Sequence, residues 1–220
     1  MQSGKITALE IQKRNKERVN VYLDGEFAFG LPLLEAATLH KGQVLSPVEI
    51  TELRHKDAIQ RAFDRAARFL GYRPRSIDEV RRNLLKNNVA EDVAEAAIER
   101  LTRLGYLDDH AFARFWLENR DTFKPRGVRA LRYELRQKGI SDSVIDEVLD
   151  TFDATDAAYR AAQSRIRRMK GSTEYDFRNK VGSFLQRRGF AYPVYRDVLE
   201  RLSEELATDD PDYFIEDHQS

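Results

Sequence analysis

LRQKGISDSVIDEVL, residues 135–149, closes one helical pattern in a short basic turn and opens another in an acidic run. The same pattern occurs twice more without a gap, as LLKNNVAEDVAEAAI (84–98) and LQRRGFAYPVYRDVL (185–199). Leu84, Leu135 and Leu185 lead the three copies, and Val89, Ile140 and Phe190 follow five residues later. Val93, Val144 and Val194 come next, then Ile98, Leu149 and Leu199. Val80, Leu131 and Val181 stand four residues upstream of the leading leucines, on the same helical face. Each copy therefore reads as helix, short turn, helix. An aromatic-rich helical segment precedes each one, at 58–70, 109–119 and 157–169. The unit is three helices, repeated roughly every 50 residues. A unit of that size has little core of its own, so tandem copies are expected to stack on one another.

Working outward, the segments 6–11, 19–23 and 27–29 are rich in β-formers, and Asp24-Gly25 between the last two signals a hairpin turn. A short helix follows at 32–39, with a glycine turn at Lys41-Gly42. Ser46-Pro47-Val48-Glu49 combines an N-cap serine, proline at the first helical position and glutamate at the third. From there to Leu70 the pattern is helical. The expected fold is mainly α: three tandem three-helix repeats forming an elongated curved array, preceded by a small N-terminal β-containing module. The expected boundaries are 1–46 for the β-rich module and 47–106, 107–153 and 154–207 for the repeats. An acidic, disordered tail is expected over 208–220, although Tyr213, Phe214 and Ile215 within it could dock.

A charged fraction of 34% against 41% hydrophobic residues suits a helical, solvent-rich protein with a thin core. No cysteine is present, which removes disulfides, thiolate nucleophiles and cysteine-ligated zinc. The N-terminal stretch carries no apolar signal region, and no apolar run approaches the length of a membrane span. A cytoplasmic protein with no membrane partner, monomeric, is expected.

Asp108-Asp109-His110 is the segment that most resembles a chemical site. Neighbouring residues on a helix diverge by about 100°, so the two carboxylates would not converge on a substrate. A metal would want a second ligand three or four residues after His110, where Ala113 and Arg114 stand. A helix start explains the cluster better, with Asp108 as N-cap, Asp109 complementing the dipole, and Leu107 stapled to Phe112. Phe112, Phe115 and Trp116 would then share a core face. No P-loop, G-x-G-x-x-G, G-x-S-x-G or H-E-x-x-H occurs, so neither an enzyme nor a cofactor is expected.

The net charge of zero hides a repeated pattern. Each middle helix and its entrance is basic: Arg73, Arg75, Arg81, Arg82 and Lys86 in the first copy, and Lys124, Arg126, Arg129, Arg132, Arg136 and Lys138 in the second. The third copy has Lys180, Arg187 and Arg188, with Arg167 and Arg168 just ahead of it. The last helices of the first two copies are acidic, with Glu91, Asp92, Glu95 and Glu99, then Asp142, Asp146, Glu147 and Asp150. Repeats stacked in register would align the basic residues into a stripe suited to phosphates or to an acidic protein face. Solvated faces holding intramolecular pairs are the alternative.

Several of these residues carry a resemblance. Leu104-Gly105-Tyr106-Leu107-Asp108-Asp109 with Phe112-Ala113, then Lys124-Pro125-Arg126-Gly127 and the Leu135…Lys138-Gly139-Ile140 turn, are similar to the signature of the RecX family of regulatory proteins. Arg73-Pro74-Arg75-Ser76 with Glu79 and Leu84 resembles the matching first-repeat motif. The third repeat is looser, because Asp176 and Phe177 replace the Arg75-Ser76 and Arg126-Gly127 pairs. The resemblance covers about residues 57–202 and leaves the β-module outside the shared part, as a variable extension. It implies a non-enzymatic modulator of the RecA recombinase that binds in the groove of the RecA–single-stranded DNA filament and suppresses its activities. Some binding of DNA, single-stranded or double-stranded, is implied as well. A stand-alone DNA-binding protein of helix-turn-helix-like units is the alternative.

Overall fold

The computed structural model describes residues 2–216. Strands β1 (Gly4–Ile11), β2 (Arg18–Leu23), β3 (Glu26–Pro32) and the short β4 (Val44–Leu45) form one antiparallel sheet in the order β3-β2-β1-β4. Asp24 and Gly25 both take positive φ (51° and 93°), the geometry that lets a two-residue turn follow the strand twist. Helix α1 (Leu33–Ala36) leads across to α2 (Pro47–Leu70). The N-terminus of α2 is the expected capping box, with the Ser46 and Glu49 side chains each serving the other's backbone N–H. One end of α2 completes the sheet's core: Ile50 is buried with Ile6, Val21, Phe29 and Leu31, and Leu53 packs against them. The other end belongs to the first repeat, where Ala62 and Ala66 are buried with Val80, Leu84, Ala97 and Leu101.

The repeats follow as α3 (Ile77–Lys86) and α4 (Glu91–Arg103), then α5 (Asp109–Phe123), α6 (Val128–Gln137) and α7 (Asp142–Asp150), then α8 (Ala154–Ile166), α9 (Glu174–Arg187) and α10 (Tyr192–Asp209). Residues through Leu107 form one compact unit and those from Asp108 a second. The residues that align the three copies have one local cause. Each middle helix ends on a left-handed residue, Asn88 (φ 58°), Gly139 (φ 76°) or Gly189 (φ 87°). The next N–H then reaches back to the leading leucine: Val89 to Leu84 O at 3.2 Å, Ile140 to Leu135 O at 3.1 Å, Phe190 to Leu185 O at 3.2 Å. That is the Schellman closure, and the five-residue apolar spacing is its accompanying hydrophobic contact. Glycine takes the left-handed conformation without strain, and asparagine is among the few residues that tolerate it.

Several expectations need correction. The tail over 208–216 is ordered: α10 runs through Asp209, and Tyr213 is buried with its hydroxyl donating to Ile166 O at 2.6 Å. Its backbone is held too, since the Gly171 N–H donates to Tyr213 O and the Ile215 N–H to Ser172 O. Phe177, one of the residues that departs from the repeat motif, explains the docking. Helix α9 begins a turn earlier than its counterparts, on Thr173, which brings Phe177 inside; it is fully buried against Tyr213 and Phe214. Residues 217–220 lie outside the described residues. Leu107 is buried in the first-repeat core and Phe112 in the core of the second. Phe115 is 39% exposed, so the aromatic core face of α5 reduces to Phe112 and the half-buried Trp116.

Candidate nucleic-acid interface

Asp108 is an N-cap: its carboxylate accepts the Ala111 N–H at 3.0 Å, and that bond holds its pKa below the usual aspartate value. His110 lies 3.3 Å from Glu147, apart from any convergent carboxylate pair.

The basic residues divide into three kinds. Some are tied to carboxylates on the adjacent helix or on their own. Arg81 on α3 donates to Glu95 on α4 (Nη2 to Oε2, 2.9 Å), and Arg132 on α6 donates to Asp146 on α7. These are the same pair in successive repeats, three residues before the leading leucine and eleven after it. Arg136 donates to Asp142 at 2.7 Å, Arg82 pairs with Asp78, Arg73 with Glu79, and Lys180 with Asp176. The hydrogen bonds from Arg81 and Arg136 depress the pKa of Glu95 and Asp142. In the third repeat the Arg81 position is Gly182, a buried residue whose Cβ would press on Leu199, so this pair has no counterpart there. The basic and acidic runs are thus joined to each other across the helix pairs in the first two repeats.

A second kind is built into the scaffold. Arg75 lies over the Phe69 ring, 3.9 Å from its centroid, and burial reinforced by Arg73 lowers its pKa. Arg126, its counterpart, sits 3.2 Å from Glu134, off the line a hydrogen bond requires, so its buried Nε–H has no acceptor among the described residues. Arg188 lies 4.6 Å from the Phe184 centroid and donates to Pro125 O at 2.9 Å. Burial, with repulsion from Arg126 and Arg165, lowers its pKa. Lys138 lies over Trp116 at 5.0 Å, while the Trp116 indole donates to Glu134.

The third kind is exposed and has no ion partner among the described residues: Lys86, Lys124, Arg129, Arg167, Arg168 and Arg187. Arg129 is on α6, one turn from Arg132 and two from Arg136, and all three line a groove of about 670 Å³ against the α9–α10 turn. Aromatic residues that the charge pattern does not single out share this groove. Tyr133 and Tyr192 are 64% and 63% exposed, and Tyr195 stands edge-on to Tyr192 with centroids 5.4 Å apart. Their signal in the sequence is tyrosine placed beside arginine on an otherwise solvated helix face. Guanidinium groups beside exposed aromatic faces can hold a phosphate backbone and stack its bases. A surface pair need not obstruct that, because a half-exposed pair such as Arg81–Glu95 contributes about 1 kcal/mol or less and can be exchanged for a phosphate.

Comparison with known proteins agrees with this architecture. Residues 4–46 match the family model of the regulatory protein RecX N-terminal domain, and 62–101, 108–149 and 153–199 match those of the first, second and third three-helix domains of RecX. The β-module is accordingly part of the family pattern, which corrects the expectation that it lies outside the shared region. The chain is 32% identical over 205 residues to the regulatory protein RecX of Bacillus subtilis, covering 91% of this chain and 78% of that one. It is 39% identical over 163 residues to that of Lactobacillus delbrueckii, covering 73% and 59%. A crystal structure of regulatory protein RecX superposes with a TM-score of 0.74 at 30% identity, covering 90% of this chain and 99% of that one. RecX from Lactobacillus salivarius, at 21% identity and a TM-score of 0.62 over 67% of this chain and 98% of that one, shares the fold. The chain belongs to the RecX family of regulatory proteins.

Proposed function

We propose that this chain is a non-enzymatic regulator that binds the RecA–single-stranded DNA filament in its helical groove and inhibits ATP hydrolysis and strand exchange. The observation that carries the reading is the groove of α6 and the α9–α10 turn, where Arg129, Arg132 and Arg136 stand beside Tyr133 and Tyr192. Such a surface suits a single strand, whose bases are free to stack, better than a duplex. Lys124, Arg187, Arg167 and Arg168 extend the basic character of the same unit, and Lys86 that of the first. Arg126 and Arg188 act on this surface from behind, at the entrance of α6 and the junction of the second and third repeats, while Arg75 holds the entrance of α3 in the first unit.

Binding measured across a salt series, to a bare oligo-dT strand and to the same strand coated with RecA, tests the reading. The filament is expected to bind at least about tenfold more tightly than the bare strand. An Arg129→Ala/Tyr133→Ala variant is expected to weaken both while retaining native helicity. Binding to bare DNA as tight as to the filament would overturn the reading in favour of a stand-alone DNA-binding protein.

A further inference from the structure

A second basic cleft lies in the first unit, where the β-module meets the first repeat. Its volume is about 530 Å³, and it opens between the β1–β2 turn, helix α2 and the α3–α4 turn. Arg61, Arg65 and Arg68 point along one face of α2, spaced four and three residues apart. Arg18, from the start of β2, closes the cleft from the sheet side, and Asn15 and Asn88 stand at its ends. The floor is small and apolar, with Ala62 and Val93.

Positive charge is in excess here because of how the arginines are held. Arg18 and Arg61 share one buried carboxylate, Asp57, so two guanidinium groups face one negative charge. Arg65 is tied to a neutral group, the Asn87 amide oxygen at 2.6 Å, and Arg68 has no ion partner among the described residues. Asp64 is the one carboxylate in the lining. These contacts also restrict the arginines: Arg18 is pinned beneath, and Arg65 is bridged to the opposite wall. Four arginines and no lysine favour planar oxyanions, which guanidinium groups bind bidentately. From Arg61 to Arg68 the helix rises about 10 Å, so the site spans several phosphoryl groups and not one. No aromatic ring lines the cleft, so it offers no platform for a base.

We infer that this cleft binds consecutive phosphoryl groups, supplied by the backbone of a nucleic-acid strand or by a free oligophosphate, with no preference for the base. The inference does not depend on the RecA reading, because it concerns the protein alone. The test is binding of inorganic triphosphate and of oligo-dT by the full chain at low salt, compared with an Arg65→Ala/Arg68→Ala variant. Both side chains are exposed and outside the core, and circular dichroism verifies that the variant remains folded. If the ligand is a free oligophosphate, triphosphate binds the native chain and weakens by roughly tenfold or more in the variant. If it is a strand backbone, triphosphate binding is weak, but oligo-dT affinity falls and its salt slope drops by about two. Unchanged binding of both ligands overturns the inference. Loss of oligo-dT binding only on Arg129→Ala/Tyr133→Ala, with neither triphosphate nor oligo-dT binding altered by Arg65→Ala/Arg68→Ala, overturns it while leaving the proposed function intact.

Discussion

A Cβ placed on Gly127 would run into the backbone of Gly189 and Phe190, and one placed on Gly189 would lie 2.6 Å from Ala130 Cβ. The Gly127 N–H donates to Arg188 O at 3.0 Å, so the entrance of α6 and the end of α9 meet backbone to backbone. The equivalent residue in the first repeat is Ser76, which caps its helix by accepting the Glu79 N–H at 3.1 Å. The second repeat has thus given up a cap in favour of a close approach, and magnitudes decide what reversing the exchange would do. A serine cap gains about 1 kcal/mol. Forcing atoms into a filled contact between backbones costs about 1–3 kcal/mol or more. Gly127→Ser is therefore expected to destabilise the chain in urea unfolding, by about 2 kcal/mol where the clash takes its full cost. A stabilised variant would show that capping, and not the junction, governs this position.

At the scale of elements, the docked tail completes the third repeat. Tyr213 and Phe214 cover Phe177, Tyr213 bonds to Ile166 O, and Lys170 pairs with Asp210. Replacing Tyr213 and Phe214 together by alanine is expected to cost about 3 kcal/mol or more in denaturant unfolding. An unchanged midpoint would mean that the tail covers nothing. The elements themselves were legible in the sequence, because the apolar register and the Asp24-Gly25, Ser46-Pro47 and Asp108 signals act locally. Pairing between elements was not. Arg81 and Glu95 read as members of separate basic and acidic faces, and only the crossing of α3 on α4 joins them. Asp57 on α2 likewise meets Arg18 of β2, 39 positions away, only in the folded chain. The groove tyrosines were obscured for the same reason, since Tyr133 and Tyr192 are 59 positions apart and meet through the α6 and α9–α10 packing.

For the whole molecule, the proposed function requires a scaffold of three-helix repeats that presents basic and aromatic side chains to a RecA–DNA filament. The distinction between scaffold and surface arginines determines how to test it. Arg75 and Arg126 are unsuitable targets, because each is half-buried and holds a helix entrance. Lys124, Arg129 and Arg187 are exposed and unpaired among the described residues, so their charges can be removed with the fold intact. The most direct measurement is RecA ATP hydrolysis on single-stranded DNA, titrated with the native chain and with a Lys124→Ala/Arg129→Ala/Arg187→Ala variant. The native chain is expected to suppress hydrolysis at saturation, and the variant to require at least about tenfold more protein for the same suppression. Hydrolysis that continues undiminished at saturating native chain would rule out the proposed inhibition of the filament.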